Sequence, residues 1–416
     1  PWIARHKRHQ VNLNDYPSVY RWYKEIYSRL NQKVALHVAL FFHDIGKGQG
    51  GNHSIIGEKV LRKYTPFLGL DEEEEETAAW LVRNHLIMSR IAFNFDISDP
   101  KTINDFCDIV QSPERLKLLL VLTVADILAV GPNIWNTWKA VLMRDLFRYS
   151  EEVLLGANPN NILDLRASES IKKIKNFLKD WTDKEFNKYT SNLSDKYWSV
   201  FDFETQVWHA IISRNETFTD NLVKVETKSD LKSKSIKLVV MAPDYPGLFS
   251  KIAGAIASQG IEILNARIFT RKDGIGLDSF WLQSENENII DDFKLERIKS
   301  TIIKSLTGKH NPEIEILKRI KSTSQKEKIM NAPARVFINN ELSNTQTVLE
   351  INGKDRVGLL YFLTTKLTDL GIQIQSASVS TYGHRVVDVF YVKDIFGMKI
   401  INKNTFKKIK NELKNI

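Results

Sequence analysis

The sequence predicts an α+β protein in which an all-helical front part is followed by two copies of a small β-α-β-β-α module. Three observations predict it. Apolar residues over the first 150 positions recur at helical spacing in Val34–Phe42, Thr77–Leu86 and Leu116–Val130, separated by Gly- and Asn-bearing loops. After Lys234 the pattern turns β-rich, beginning with Ile236–Met241. That later pattern then repeats at a fixed offset of 111 residues. Asp244, Gly247, Leu248, Gly260, Ile261, Ile263 and Ala266 recur as Asp355, Gly358, Leu359, Gly371, Ile372, Ile374 and Ala377. Past the hairpin the offset is 110, with Asp278 and Phe280 matching Asp388 and Phe390. A turn is where a one-residue length change costs least.

Composition narrows the function classes. The chain has 416 residues, 43% of them hydrophobic, and 59 Lys+Arg against 50 Asp+Glu give a net charge of +9. That length holds two to four domains, and the apolar content excludes wholesale disorder. The lysines of Lys172–Lys188 and Lys407–Lys414 alternate with Asp, Glu and Asn rather than with Gly and aromatics. This reads as a solvated surface and not a nucleic-acid-binding sheet. No apolar run reaches the ~20 residues of a membrane helix; the richest, Leu116–Val130, contains Thr123 and Asp126. The single cysteine, Cys107, excludes an intrachain disulfide, and the expected setting is cytoplasmic. No signal-peptide pattern is visible, and an opening at Pro1 rather than Met leads to the expectation of a longer parent chain.

Taken in order, residues 1–155 form the helical domain, with the first ~33 atypical of the remainder. Within it, Gly46–Gly51 holds four glycines in six residues and must turn tightly, and the acidic run Asp71–Glu76 suits a solvated first turn favoured by the helix dipole. Residues 156–234 read as a polar helical connector whose Tyr197, Trp198, Phe201 and Phe203 are expected to dock on the first domain. Modules at 235–340 and 346–416 complete the chain.

Each module begins strand–Asp-x-x-Gly-Leu–helix. The glycine allows close backbone approach, and the free N–H groups of the first helical turn can take a carboxylate. Asp244, Gly247, Leu248 and Asp355, Gly358, Leu359 are therefore candidates for holding a small amino acid. The segments APDYPGLFSKIAGAIASQGIEILNARIFT and GKDRVGLLYFLTTKLTDLGIQIQSASVST resemble tandem ACT domains, ferredoxin-like βαββαβ modules. The resemblance implies amino-acid binding that regulates an attached enzyme.

The catalytic candidate is Phe41-Phe42-His43-Asp44-Ile45-Gly46-Lys47-Gly48, in which an apolar helix ends on adjacent His and Asp beside a glycine-rich turn. His53, His85 and Asp126 follow. A carboxylate in the apolar run around Asp126 is expensive unless paired or metal-bound. Imidazole and carboxylate together suit Mg²⁺, Mn²⁺ or Fe²⁺ better than a structural zinc. Lys47 is placed to offer positive charge to a phosphate. The order His-Asp … His … His … Asp resembles the HD-domain metal phosphohydrolases, including those with extra histidines for a second metal. An upstream histidine ligand is usual in that family. His6 and His9 lie in a basic stretch without apolar periodicity, and His37 lies about 10 Å from Asp44 along one helix.

An HD domain followed by two ACT domains is a specific arrangement. FFHDIGKGQGGNHSIIGEKV, WLVRNHLIMSRIAFNFDISDPKTINDFCDIVQSPERLKLLLVLTVADILAV and IWNTWKAVLMRDLF closely resemble the bacterial PII uridylyltransferase/uridylyl-removing family, from about Val34 onward. The first 33 residues depart from it. The resemblance implies the C-terminal part of such an enzyme, without its nucleotidyltransferase domain. It further implies that His43, Asp44, Lys47 and Asp126 are catalytic and that His43, Asp44, His53, His85 and Asp126 ligate a divalent metal. The substrate would be uridylylated PII protein and the effector glutamine, with no nucleic acid or membrane partner. Two alternatives remain open: a guanosine-tetraphosphate-type HD hydrolase under ACT control, and a non-catalytic HD scaffold carrying an amino-acid sensor.

Overall fold

The computed structural model describes residues 17–130, 135, 137–194, 197–198, 201–214, 223–230, 235–284, 291–323, 334–382, 385–414 and 416. It divides into two compact units, Pro1–Ile162 and Leu163–Ile416. His6 and His9 lie outside the described residues.

The first unit is built of helices α1 (Pro17–Ser28), α2 (Lys33–Phe42), α3 (His53–Leu68), α4 (Glu72–Asn84), α5 (Ile87–Asn94), α6 (Pro100–Val110), α7 (Pro113–Val130) and α8 (Thr137–Leu154). Local chemistry sets several of these ends. Asn52 caps α3 by accepting from the N–H groups of Ser54 and Ile55. Asp71 and Glu74 form a reciprocal capping box on α4, so the acidic run supplies both the cap and the dipole-favoured first turn. Helix α7 runs through the core: Leu116, Leu118, Leu119, Leu120 and Leu122 are fully buried against Ala35, Leu36 and Ala39 of α2 and Leu81 and Val82 of α4. Burying each such leucine contributes roughly 1.5–3 kcal/mol, which anchors the helix that carries Asp126.

The second unit starts with the connector helices α9 (Pro159–Phe177), α10 (Asp183–Ser191) and α11 (Phe203–Arg214). The first module then contains β1 (Lys224–Asp230), β2 (Ser235–Pro243), α12 (Leu248–Ser258), β3 (Ile261–Arg267), β4 (Ile275–Ser284), α13 (Asp292–Leu306) and α14 (Pro312–Thr323). The second contains β5 (Arg335–Asn339), β6 (Thr347–Lys354), α15 (Leu359–Asp369), β7 (Gln373–Tyr382), β8 (Arg385–Lys393) and α16 (Lys403–Lys414). All eight strands join one sheet in the order β1-β2-β4-β3-β7-β8-β6-β5, with every pairing antiparallel.

The repeat seen in the sequence is a pseudo-twofold in space. At the central seam Ala266 pairs with Ala377, its own counterpart, and Asn265 and Arg267 pair with Ser378 and Ser376. An antiparallel pairing centred on equivalent residues is the isologous contact a twofold requires. Both inner strands carry a bulge at the same place, between Ile263 and Asn265 and between Ile374 and Ser376.

The α+β class stands, and two details of the expected organisation change. The outer strand of each module comes from its N-terminal side: β1 lies beside β2 and β5 beside β6. The stretch 224–230, expected as helical connector, is therefore a strand of the first module, and 335–339, expected within the first module, pairs with the second. Both are edge strands, and β1 (KVETKSD) alternates charge along its length, the usual composition of a protected edge. That composition hides a strand from a search for apolar alternation.

The aromatic cluster also docks elsewhere than expected. Tyr197, Trp198 and Phe201 share a core with Val239, Met241 and Leu277, on the sheet face opposite α12. Phe203 is exposed and meets Phe177 edge-on at 5.7 Å. The strands explain it. Val239 and Met241 make the odd face of β2 apolar at its C-terminal half while the even positions are apolar throughout, so both faces need covering there. Helices cover one face and the connector the other. Among the described residues no helix is long and apolar enough to cross a membrane.

Candidate metal centre and effector loops

Helix α2 delivers the His-Asp pair. His43 caps its C-terminus in helical conformation and is 4% exposed. Its Nδ1 faces the Leu40 carbonyl at 2.9 Å, and a carbonyl only accepts, so Nδ1 carries the proton. Nε2 therefore presents its lone pair to Asp126 Oδ1 at 3.3 Å and Asp44 Oδ2 at 3.4 Å. His85, at the C-cap of α4 and 1% exposed, repeats the device: Nδ1 donates to the Val82 carbonyl at 2.7 Å. Its Nε2 meets His53 Nε2 at 3.4 Å and lies 3.9 Å from Asp44 Oδ1. His53 opens α3 and lies 3.9 Å from the same carboxylate oxygen.

Two groups of donors result. Asp44, His53 and His85 form one; His43, Asp44 and Asp126 form the other; within each, the ligand atoms lie within 4.8 Å of one another. Asp44 belongs to both. Two imidazole lone pairs facing carboxylate oxygens or another imidazole are acceptors aimed at acceptors. A cation between them relieves the conflict, and fixing Nδ1–H on a backbone carbonyl is how metal-ligating histidines are oriented. The donors thus fit a divalent ion of the nitrogen- and oxygen-binding kind.

The electrostatics follow from the same contacts. A proton on Nε2 relieves the same conflict when no cation does: burial opposes charge on His43, but the hydrogen bond that the protonated ring donates to Asp126 and the charges of Asp44 and Asp126 outweigh it and raise its pKa. Burial pulls His85 down, helped by the neighbouring His43 and His53. Burial pushes Asp126 up, yet its bond to His43 brings the net shift below the ordinary carboxylate value. Lys47 donates to Asp44 Oδ2 at 2.6 Å and is otherwise largely exposed. His37 is exposed, with its Nε2 3.1 Å from the Tyr27 hydroxyl, and belongs to neither donor group. Gly46 permits the tight return of the chain: a Cβ there would stand 2.4 Å from the His53 carbonyl oxygen.

The Asp-x-x-Gly-Leu turns are alike in both modules. Gly247 (φ 91°) and Gly358 (φ 75°) are left-handed and cap α12 and α15, a conformation that costs most residues about 1 kcal/mol or more. Leu248 and Leu359 donate their N–H groups back to the carbonyls of Tyr245 and Arg356. Asp244 accepts from Thr270 Oγ1 at 2.6 Å and donates its N–H to the Gly274 carbonyl, so it ties the turn to the β3–β4 hairpin. Asp355, its counterpart, is half-buried.

Sequence reasoning missed Asn52, the cap of the helix that opens with His53, and the third helix of the first module, α14. The first had a signal, an Asn immediately before an apolar-periodic run.

The HD domain family model matches residues 19–131, and a model described as the ACR family N-terminal ACT domain matches residues 342–416. The bifunctional uridylyltransferase/uridylyl-removing enzyme of Azospirillum brasilense is 41% identical over 407 residues, covering 97% of this chain and 44% of that protein. The enzymes of the same name from Rhodospirillum rubrum and Gluconobacter oxydans are 43% and 41% identical, covering 92% and 93% of this chain and 41% of each relative. The chain thus spans less than half the length of the curated relatives it matches. Over that span, with a helical HD domain followed by an ACT-type module, this chain is a homologue of the bifunctional uridylyltransferase/uridylyl-removing enzymes.

Proposed function

We propose that this chain removes uridylyl groups from a PII-type signalling protein and that its paired modules sense glutamine. The observation that carries the hydrolytic part is Asp44, which is shared by two donor groups of cation-binding grade. His43 and Asp126 would hold one divalent ion and His53 and His85 a second, with Asp44 between them. Bound there, a divalent ion supplies Lewis acidity, lowering the pKa of a water and drawing charge from a phosphoryl oxygen. In the reaction, water adds its oxygen to the phosphorus of the tyrosyl–UMP diester and the bond to the tyrosyl oxygen breaks. The phenol leaves with a proton, and UMP is released. Lys47, beside Asp44, offers positive charge at the mouth of this centre.

The sensing part is supported by the two glycine turns, whose helix N-termini suit a carboxylate. For glutamine to change hydrolysis it must bind one arrangement of the protein better than another. Both parts are tested by incubating the chain with uridylylated PII, Mn²⁺ and glutamine and following UMP. Release is expected, and it is expected to vanish in His43→Ala and Asp44→Ala. These variants should lose metal affinity by more than the ~10–100-fold that an outer-shell partner costs. No release with any divalent cation would sink the proposal.

A further inference from the structure

We infer that the turn joining β8 to α16 in the second module is a membrane-contacting tip: Ile395, Phe396, Met398 and Ile401 enter an anionic phospholipid surface, and the lysines of α16 hold the tip there. The inference goes beyond the proposed hydrolytic and sensing roles and stands independently of them. The family resemblance implies no membrane partner, and this surface points the other way.

Scattered apolar side chains on a protein surface are ordinary; a concentrated set is not. Ile395 is 59% exposed, Phe396 80%, Met398 65% and Ile401 80%, all between positions 395 and 401. The turn is nevertheless firmly built. Asp394 Oδ1 accepts from the N–H groups of Phe396 and Met398 at 2.9 Å each. The Gly397 N–H donates to the Asp394 carbonyl, and the Asp394 N–H donates to the Met398 carbonyl. Ile400 is the anchor: its side chain is buried, its N–H donates to Thr347 Oγ1 at 3.0 Å, and its carbonyl accepts from Asn340 Nδ2 at 2.8 Å. These bonds satisfy backbone groups that would otherwise need water, which is the condition for entering an apolar medium.

The charge beside the tip selects the surface. Between Lys393 and Lys414 the sequence carries seven lysines against two acids, Asp394 and Glu412. Asp394 is engaged inside the turn, and Glu412 lies 3.3 Å from Lys366. Helix α16 starts two residues past Ile401, buries Ile409 and Leu413, and exposes Lys403, Lys407, Lys408 and Lys414. A projecting apolar turn beside a cationic helix complements anionic headgroups above hydrocarbon, and surface binding grows with both contributions. A second copy fits less well. It would bring two cationic helices together, and four side chains fall short of the ~800 Å² per partner that a stable protein interface buries.

The test is flotation of the whole chain with vesicles of phosphatidylglycerol and phosphatidylcholine in equal amounts, against vesicles of phosphatidylcholine alone. The chain is expected to float with the first and not with the second, and to lose binding as salt rises. Phe396→Asp should weaken binding by roughly 10–100-fold, the worth of burying one large apolar side chain. Lys403→Gln and Lys407→Gln should each weaken it by roughly fivefold. Thermal melts check that the variants fold, and Met398→Asp, at a second exposed position, should repeat the Phe396→Asp result. If both Asp variants bind anionic vesicles as well as the unaltered chain does, the attachment is general charge attraction and the tip is not the contact. No flotation with anionic vesicles overturns the inference outright. Self-association that Phe396→Asp abolishes, without flotation, assigns the turn to a second copy instead.

Discussion

His209 shows how a single side chain can belong to the fold and not to the chemistry. It is fully buried in α11, with Nδ1 3.0 Å from the Tyr197 hydroxyl and Nε2 2.9 Å from Ser279 Oγ. Tyr197 in turn meets Tyr189 at 3.0 Å, so a chain of hydroxyls and imidazole pins the connector to β4. Burial pulls the imidazole down to about 3, and the Lys237 charge pulls the same way. The unfolded value is about 6.5. Below that pH the unfolded chain takes up a proton that the folded chain refuses until about 3. Stability is therefore predicted to fall as pH drops through this window, by up to ~1.4 kcal/mol per pH unit from this group. Urea midpoints between pH 7 and 4 measure it, and His209→Gln should flatten the slope; an unchanged slope would remove His209 as the cause. Little of this was legible beforehand. A histidine in an ordinary helix carries no sign of its partners, whereas the His43-Asp44 pair announced itself by standing between an apolar run and four glycines. Asp126 was legible for a related reason, as a carboxylate in a run otherwise apolar enough to be core.

Apart from α14, helices and inner strands followed from local pattern, and the strands that did not were those whose reasons are non-local. Strands β1 and β5 are short edges, and their pairing depends on a neighbour distant in sequence. The connector's partner depended on recognising that β2 is apolar on both faces at its C-terminal half. The loop joining α2 to α3 belongs to the same scale, because it sets where two elements bring His43, Asp44 and His53. Gly46 lies so close to the His53 carbonyl that any Cβ must displace one of them, and the next neighbours, Ile56 Cβ at 3.0 Å and the Gly57 backbone at 3.1 Å, leave no room to yield. Gly46→Ala is expected to cost about 1–3 kcal/mol, the usual range for overpacking. It should also weaken Mn²⁺ binding, since the start of α3 carries His53. Thermal melts and metal titration check this together. Lower stability with unaltered metal affinity would mean that the strain is absorbed away from the site.

At the scale of the whole molecule, the two units carry separate cores. The leucines of α7 centre one, and the eight-stranded sheet with its two covering layers centres the other. The donor groups lie wholly in the first unit and the proposed effector turns wholly in the second. A ligand stabilises whatever folded structure holds it, by about 2.7 kcal/mol at a hundredfold excess over Kd. For units of this size each kcal/mol is worth roughly 2–4 °C. Calorimetric melting should therefore show two transitions, with Mn²⁺ raising one by roughly 5–10 °C and EDTA reversing it. Glutamine should raise the other. Any shift that glutamine causes in the Mn²⁺-sensitive transition, or Mn²⁺ in the glutamine-sensitive one, measures the coupling between sensing and hydrolysis, and linkage requires the two cross-effects to be equal in free energy. If both ligands move a single common transition, the units unfold together and the separation drawn from their cores is wrong. If each moves only its own, with no cross-effect, glutamine exerts no control through binding in this chain, and regulation must lie in the rate of the chemical step.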